Sequence, residues 1–293
     1  MIFKNLSIYR VGGPVDPAVL EAHLNKRAFK PCPPGGERST GFSRIFGSDG
    51  RLFSHAGLHL ICLKSEERKI PPAVVKTKLK KVIEKEQRAI GRLVNREERK
   101  EFVAQVRAVL MKSAEDFVQS QDTWAYFDNT AQMLVINTTS PKTAANLADF
   151  LRDGVQGLVL YPLKPDRDIS DQITGWLRER SLPGSFVAGV KCDLTNDLGT
   201  LKYNKLDLDD PRLIGYLAEG MRLTCLALEY GERCTFTLEE DFTIKSLVFS
   251  ERVLMDLDHG SGEPLEELAG DLTLMASEVR DLVDKLLQVI DSE

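Results

Sequence analysis

The sequence predicts an α+β protein, with mixed sheets flanked by helices and a helical segment between them. Three observations predict this class. Strand-like and helix-like stretches mix without the regular βαβ alternation that builds a parallel sheet. Residues 73–120 contain no proline and are helical in composition, and strand-rich stretches lie on both sides of them. Near the C-terminus, "RLTCLALEYGERCTFTLEEDFTIKSLVFSERV" reads as three strands of a meander separated by short polar turns. The resulting regions are an N-terminal α/β sheet region at 1–72, a basic helical segment at 73–120 and a C-terminal α+β region at 121–293.

Each element has a local reason. "FKNLSIYRV" has strand character, and "VDPAVLEAHLNKRAF" follows as a helix with Asp16 as its cap and Pro17 at the first helical position. Residues 30–41, "KPCPPGGERSTG", are turn-rich and read as a loop. "RLFSHAGLHLICLK" suggests paired strands, closed by the helix-excluding Pro71 and Pro72. Strands return at "TWAYFDN" and "QMLVINTT", followed by a helix starting near Ser140 and Pro141, the strand "LVLYPL" and a helix around 168–180. "DHGSGEP" stops a strand and starts the last helix. In that helix Leu265, Leu268, Leu272, Met275, Val279, Leu282, Leu286 and Val289 follow at steps of three and four, a seam that must be buried. It can pack on the protein's own sheet or form a dimer contact.

Composition limits the function classes. With 42% hydrophobic and 28% charged residues in 293, the chain can bury one large or two ordinary cores. No apolar run approaches the roughly 20 residues needed to span a bilayer, and the start "MIFKNLSIYRVGG" lacks a secretory signal, so neither a membrane nor export is expected. Five scattered cysteines without a C-x-x-C pair indicate neither a disulfide framework nor a zinc cage, and point to a reducing cytoplasm.

Signals for catalysis are weak, and no enzyme, metal or cofactor is expected. His55 and His59 in "HAGLH" are four apart, but the zinc-protease glutamate is missing and the stretch reads as strand, where such residues stand about 13 Å apart. "PPGGERSTG" lacks the lysine ending of a phosphate loop, and no G-x-S-x-G elbow is present.

Charge is the informative feature. The chain has a formal net charge of -5, yet Lys64 to Lys112 holds fifteen basic against seven acidic residues, +8, leaving -13 for the remainder. Lys78, Lys81, Lys85, Arg88, Arg92, Arg96 and Arg99 recur at steps of three and four, which stacks them on one helical face. Val75, Leu79, Val82, Ile83, Ile90 and Leu93 fall mainly on another face, available to dock on the protein body. A continuous 22-residue helix would extend about 33 Å, near one turn of duplex DNA. "NREE", with Asn95 as cap and Glu98 three positions on, also allows two helices meeting at an angle. Aromatic residues are sparse there and base-reading motifs are absent, so the expected contact is with the phosphate backbone, independent of sequence. A solvated helix with no ligand is the plain alternative.

The chain resembles the bacterial recombination-associated RdgC family. "FKNLSIYR", "AFKPC" at 28–32, "EERKIPPAVVK" at 66–76, "LRDGVQGLVLYPL" at 151–163, "LALEYGERCTFTLEEDFTIKSLVF" at 226–249 and "DLTLMASEV" at 271–279 carry the resemblance. It implies a cytoplasmic, nucleoid-associated homodimer closed into a ring, which holds double-stranded DNA in a positively lined channel and restrains RecA-driven strand exchange. No catalytic activity or cofactor is implied. The resemblance places Lys76 and Arg92 on the channel-lining helical region, Lys205 of "KYNKLDL" as a second contact, and Phe117 at a ring-closing dimer interface. Together with the charge pattern, the candidate DNA-binding residues are Lys76, Lys78, Lys81, Lys85, Arg88, Arg92 and Lys205. Ser246, Val248 and Met221 stand where basic residues are expected in relatives, and Tyr230 where tryptophan is. The competing class is a protein-interaction scaffold whose basic helix docks directly on the recombinase.

Overall fold

A computed structural model describes residues 1–33, 36–46, 48–112, 118–204, 210–255 and 263–292. The elements run in the order β1 (Ser7–Val11), α1 (Pro17–Lys26), β2 (Arg38–Phe42), β3 (Phe53–His55), β4 (Leu58–Arg68), α2 (Pro72–Ile90), α3 (Arg96–Lys112), β5 (Val118–Asp128), β6 (Met133–Ile136) and α4 (Pro141–Arg152). They continue as β7 (Leu160–Pro162), α5 (Ile169–Arg178), β8 (Phe186–Asn196), β9 (Gly199–Asn204), α6 (Pro211–Ala218), β10 (Arg222–Tyr230), β11 (Cys234–Glu239), β12 (Ile244–Phe249), α7 (Glu251–Leu254) and α8 (Pro264–Asp291). The class is α+β, as the sequence predicts, but the described strand pairs of both sheets are antiparallel where mixed sheets were expected. Two compact units are present: Met1–His23, Arg44–Ile61 and Thr123–Glu293 form one, and Leu24–Ser43 with Cys62–Asp122 the other.

In the larger unit, β6 lies between β5 and β1, and β7 pairs with the free side of β1. All four residues of β6, "MLVI", are buried, the pattern of a strand covered on both faces. A second sheet of the same unit has the order β12-β11-β10-β8-β9, and its first three strands are the expected meander. Leu6 and Ile244 exchange backbone hydrogen bonds of 2.7 and 3.0 Å, and Leu247 donates to the Lys4 carbonyl at 2.8 Å, so the segment entering β1 also pairs with β12.

Helix starts follow their local chemistry. Asp16 Oδ1 accepts from the Ala18 N–H at 2.8 Å, Ser140 Oγ from Thr143 at 3.2 Å, and Asp168 Oδ1 from Asp171 at 2.9 Å, each satisfying an orphan donor of a first turn. Most of the α8 seam is internal: Leu272, Met275, Val279, Leu282, Leu286 and Val289 are buried, and the Phe3 N–H donates to Met275 Sδ at 3.1 Å, whereas Leu265 in the first turn is exposed and Leu268 half-buried. Of the two readings the sequence allows, packing on the chain's own body is the one realised. Ala276, Val283 and Ile290 are buried as well, so α8 is covered over far more than one stripe.

Several expectations change. The stretch 30–41 is not loop throughout, because Arg38–Phe42 pairs with β4, with Thr40 opposite Ser65. Its side chains are mostly polar and include Gly41, so no hydrophobic alternation announces a strand. Gly41 is needed there: a Cβ would stand 2.6 Å from Phe29 Cα and 2.8 Å from the Arg27 carbonyl. Strands β8 and β9 and helix α6 lie between the expected helix around 168–180 and the expected meander, where no element was expected. The strand β5 begins at Val118, inside the stretch read as helical. Phe117 and Lys205 lie outside the described residues.

Candidate nucleic-acid interface

The smaller unit is built on a helical hairpin. Pro71 precedes α2 and Pro72 takes its first turn, where a missing N–H costs nothing. Nineteen residues later the helix stops at Gly91, whose φ of 70° is a left-handed cap that glycine adopts without strain, with its N–H returning to the Gln87 carbonyl. Asn95 then starts α3. Its Oδ1 accepts from the N–H groups of Glu97 and Glu98 at 3.0 and 2.9 Å, while Glu98 Oε2 accepts from the Asn95 N–H at 2.9 Å. This reciprocal capping box divides the basic row between two helices, the second of the two geometries the sequence allows.

The apolar stripe of α2 packs on α3. Val75 and Leu79 are buried with Val106 and Leu110, and Ile70, Val74, Val82, Ile83, Phe102 and Val103 pack around them. The hairpin thus carries its own small core, where docking on the protein body was expected. Ile90 and Leu93 do not join it: Ile90 is the last residue of α2 and Leu93 lies beyond it, and they are 39% and 79% exposed.

The opposite surface of α2 is cationic. Lys76, Lys78, Lys81, Lys85 and Arg88 are all exposed, and among the described residues none has an ion pair. At about 100° per residue, Lys78, Lys81, Lys85 and Arg88 share one flank of the helix and Lys76 falls on the other side of the apolar stripe. Helix α2 is about 28 Å long at 1.5 Å per residue. Lys80 lies 3.8 Å from Glu84, an exposed i,i+4 pair.

Arg92 differs from the row. It sits in the turn, and its guanidinium grips both Glu98 oxygens, Nη1 to Oε2 at 3.0 Å and Nη2 to Oε1 at 2.5 Å, while Nη1 also donates to the Leu93 carbonyl at 3.1 Å. The guanidinium, with help from the Asn95 N–H, holds the Glu98 carboxyl down at about 2. Sequence spacing identifies Glu98 as a cap but not as the partner of Arg92, because no helical rule pairs residues across a turn.

Arg68 is not part of the cationic surface. It is buried, donating from Nη2 to the Cys32 carbonyl at 3.1 Å and from Nη1 to the Met111 carbonyl at 3.4 Å, so it ties β4 to the loop before β2 and to the end of α3. Lys64 lies over the Phe29 ring, 5.2 Å from its centroid. The unit as a whole has nineteen Lys and Arg against eleven Asp and Glu, a net of +8, which leaves -13 for the larger unit. Four of those cations, Lys26, Arg27, Lys30 and Arg38, come from a stretch far from the basic segment in sequence.

Of the two histidines, His59 is structural and His55 is exposed. Residues 53–60 are a hairpin whose turn, Ala56 and Gly57, has φ of 48° and 79°, as a two-residue type I′ turn requires. The strand spacing used above for His55 and His59 therefore does not apply. Asn129 is oriented by Val15, accepting from its N–H and donating to its carbonyl, so its Nδ2 donates to His59 Nε2 at 3.0 Å. His59 Nδ1 then keeps the proton and donates to Ser54 Oγ at 2.9 Å. Burial lowers the His59 pKa, and both ring nitrogens are committed. Among the described residues, no group of three His, Cys, Asp or Glu is placed to hold a metal ion, and no helix is long and apolar enough to cross a membrane.

The whole chain, residues 1–293, matches the family described as "Putative exonuclease, RdgC". Relatives named "Recombination-associated protein RdgC" include one from Shewanella loihica, 30% identical over 99% of this chain and 98% of the relative. One from Aeromonas hydrophila is 30% identical over 100% of this chain and 99% of its own length, and one from Shewanella halifaxensis 28% identical over 99% and 98%. With a match from the first residue to the last, the chain belongs to the RdgC family.

Proposed function

We propose that this protein binds double-stranded DNA without sequence preference, as a homodimeric ring around the duplex, and limits RecA-mediated recombination by occupying the DNA. The observation that carries the reading is the segregation of charge. A unit of net +8 presents a row of Lys78, Lys81, Lys85 and Arg88 with no ion pair among the described residues, while the other unit has net -13. An acidic body repels DNA and a basic face attracts it, which favours one defined contact over general adhesion. Phosphate contacts of this kind position a protein without reading bases. Lys76, Arg92 and Lys205 belong to the proposed contact by family resemblance, and the proposal places the protein at the nucleoid. Six of the eight seam residues of α8 are buried within the chain, so dimer formation rests on the family resemblance, with Phe117 as the ring-closing residue.

Light scattering with and without a duplex tests the reading: a dimer that shifts to a single defined complex is expected, and a monomer would sink the ring. Phe117→Ser is expected to weaken ring closure and DNA retention with the fold intact by circular dichroism. The exonuclease wording of the family description is a second reading. End-labelled duplex incubated with the protein and magnesium or manganese is expected to stay full length; shortened products would replace occupancy with cleavage. Affinity for purified RecA without affinity for DNA would favour the scaffold reading.

A further inference from the structure

The ion pair in the turn between α2 and α3 has the chemistry of a competitor for the proposed ligand. A carboxylate and a phosphate are both bidentate acceptors for a guanidinium. Arg92 already meets one with two hydrogen bonds, from Nη1 to Oε2 and from Nη2 to Oε1 of Glu98. Lys76, Lys78, Lys81, Lys85 and Arg88 have no such partner among the described residues. Glu98 is also fixed from behind by the Asn95 N–H, so it is held in place by the start of α3.

We infer that Glu98 is an internal phosphate mimic, and that Arg92 engages a DNA phosphate only by exchanging the Glu98 carboxylate for the phosphate oxygens. The inference rests on the DNA-binding reading above. The exchange has two consequences. Part of the attraction between Arg92 and phosphate is spent on breaking an existing pair. The carboxylate that is released then recruits a cation from solution, which offsets counterions released from the DNA and flattens the salt dependence. The Glu98 carboxyl is charged, and so competing, at neutral pH like any carboxylate, and its depressed pKa extends that competition into the acid range.

The test is Glu98→Gln. Glutamine keeps an oxygen for the hydrogen bond to Asn95, since either residue completes a capping box, and removes the charge together with one of the two acceptors that Arg92 uses. Duplex titrations at several salt concentrations are compared for wild type, Glu98→Gln, Arg92→Ala and the double variant. Glu98→Gln is expected to tighten binding about two- to fivefold, the range an exposed ion pair covers. It is also expected to steepen the log-log salt slope by up to about 0.9 per chain. In the Arg92→Ala background the same change is expected to do much less. Equal tightening in both backgrounds would mean general charge removal, and weaker binding would make Glu98 a support for Arg92; either result overturns the inference. If wild type binds no duplex, the DNA reading fails, and inorganic phosphate followed by NMR at the Arg92 Nε–H still decides the exchange. A response stronger in Glu98→Gln than in wild type supports it, and equal responses overturn it.

Discussion

Arg280 of α8 and Asp128 of β5 form a pair in which the carboxylate is almost wholly buried. Nη2 and Nε of Arg280 donate to Asp128 Oδ2 at 2.8 and 3.2 Å, and the Asp128 side chain is 1% exposed. Its other oxygen accepts from the N–H groups of Thr130 and Ala131 at 2.9 Å, in the turn that leads to β6. One carboxylate thus joins the last helix, a strand and its following turn. Removing one partner of such a pair leaves a buried charge, which costs more than the pair itself contributes. Arg280→Ala is expected to lose about 3 kcal/mol, read as a lowered urea midpoint; an unchanged midpoint would show that water replaces the guanidinium.

The hairpin core gives a second expectation. Leu79 packs with Val75, Val106 and Leu110, and truncating a buried leucine to alanine costs about 2–3 kcal/mol or more. Leu79→Ala is expected to raise hydrogen exchange across α2 and α3. Exchange rates there equal to wild type would mean that the helices do not depend on each other.

Lys85 and Arg88 belong to the row with no ion pair among the described residues, and each phosphate contact contributes about 0.9 to the log-log salt slope. Lys85→Ala/Arg88→Ala is therefore expected to flatten the slope by up to about 1.8 per chain, equally for two unrelated duplexes. An unchanged slope assigns the row to solvation, and a loss confined to one duplex assigns it to base recognition.

Glu98 offers a titration. Its carboxyl is depressed from 4.5 to about 2, first by Arg92 and next by the Asn95 N–H. For a depressed carboxyl, the stabilisation of the turn is fully present above the unfolded value near 4.5 and disappears as pH falls through 2. In Arg92→Ala the midpoint is expected to rise towards 4.5 without reaching it, because the Asn95 bond remains. Carboxyl carbon shifts against pH measure this, and a midpoint still near 2 would credit the backbone bond alone.

Gly41 is the last case. Any side chain there meets backbone atoms of Phe29 and Arg27, which cannot turn aside. Gly41→Ala is expected to displace that backbone from β2 at a cost of about 1–3 kcal/mol, lowering the melting temperature. A variant as stable as wild type would mean that the backbone there gives way freely.

Features that depend on a few neighbouring residues are legible in the sequence. Asp16, Ser140 and Asn95 cap their helices because the cap and its N–H donors are two or three positions apart. Lys78, Lys81, Lys85 and Arg88 share a flank because helical periodicity alone puts them there, and the charge imbalance needs only counting. Long-range packing set the features that depend on partners far away in the chain. It turned the stripe of α2 onto α3, buried most of the seam of α8 against its own chain, took Arg68 into the interior and closed Glu98 on Arg92. Strand β2 could not be read because its evidence is its register against β4, not its composition. The physical reason is common to these cases: a helical turn is selected by local sterics and hydrogen bonds, whereas a buried face or ion pair is selected by which distant surface satisfies it at least cost.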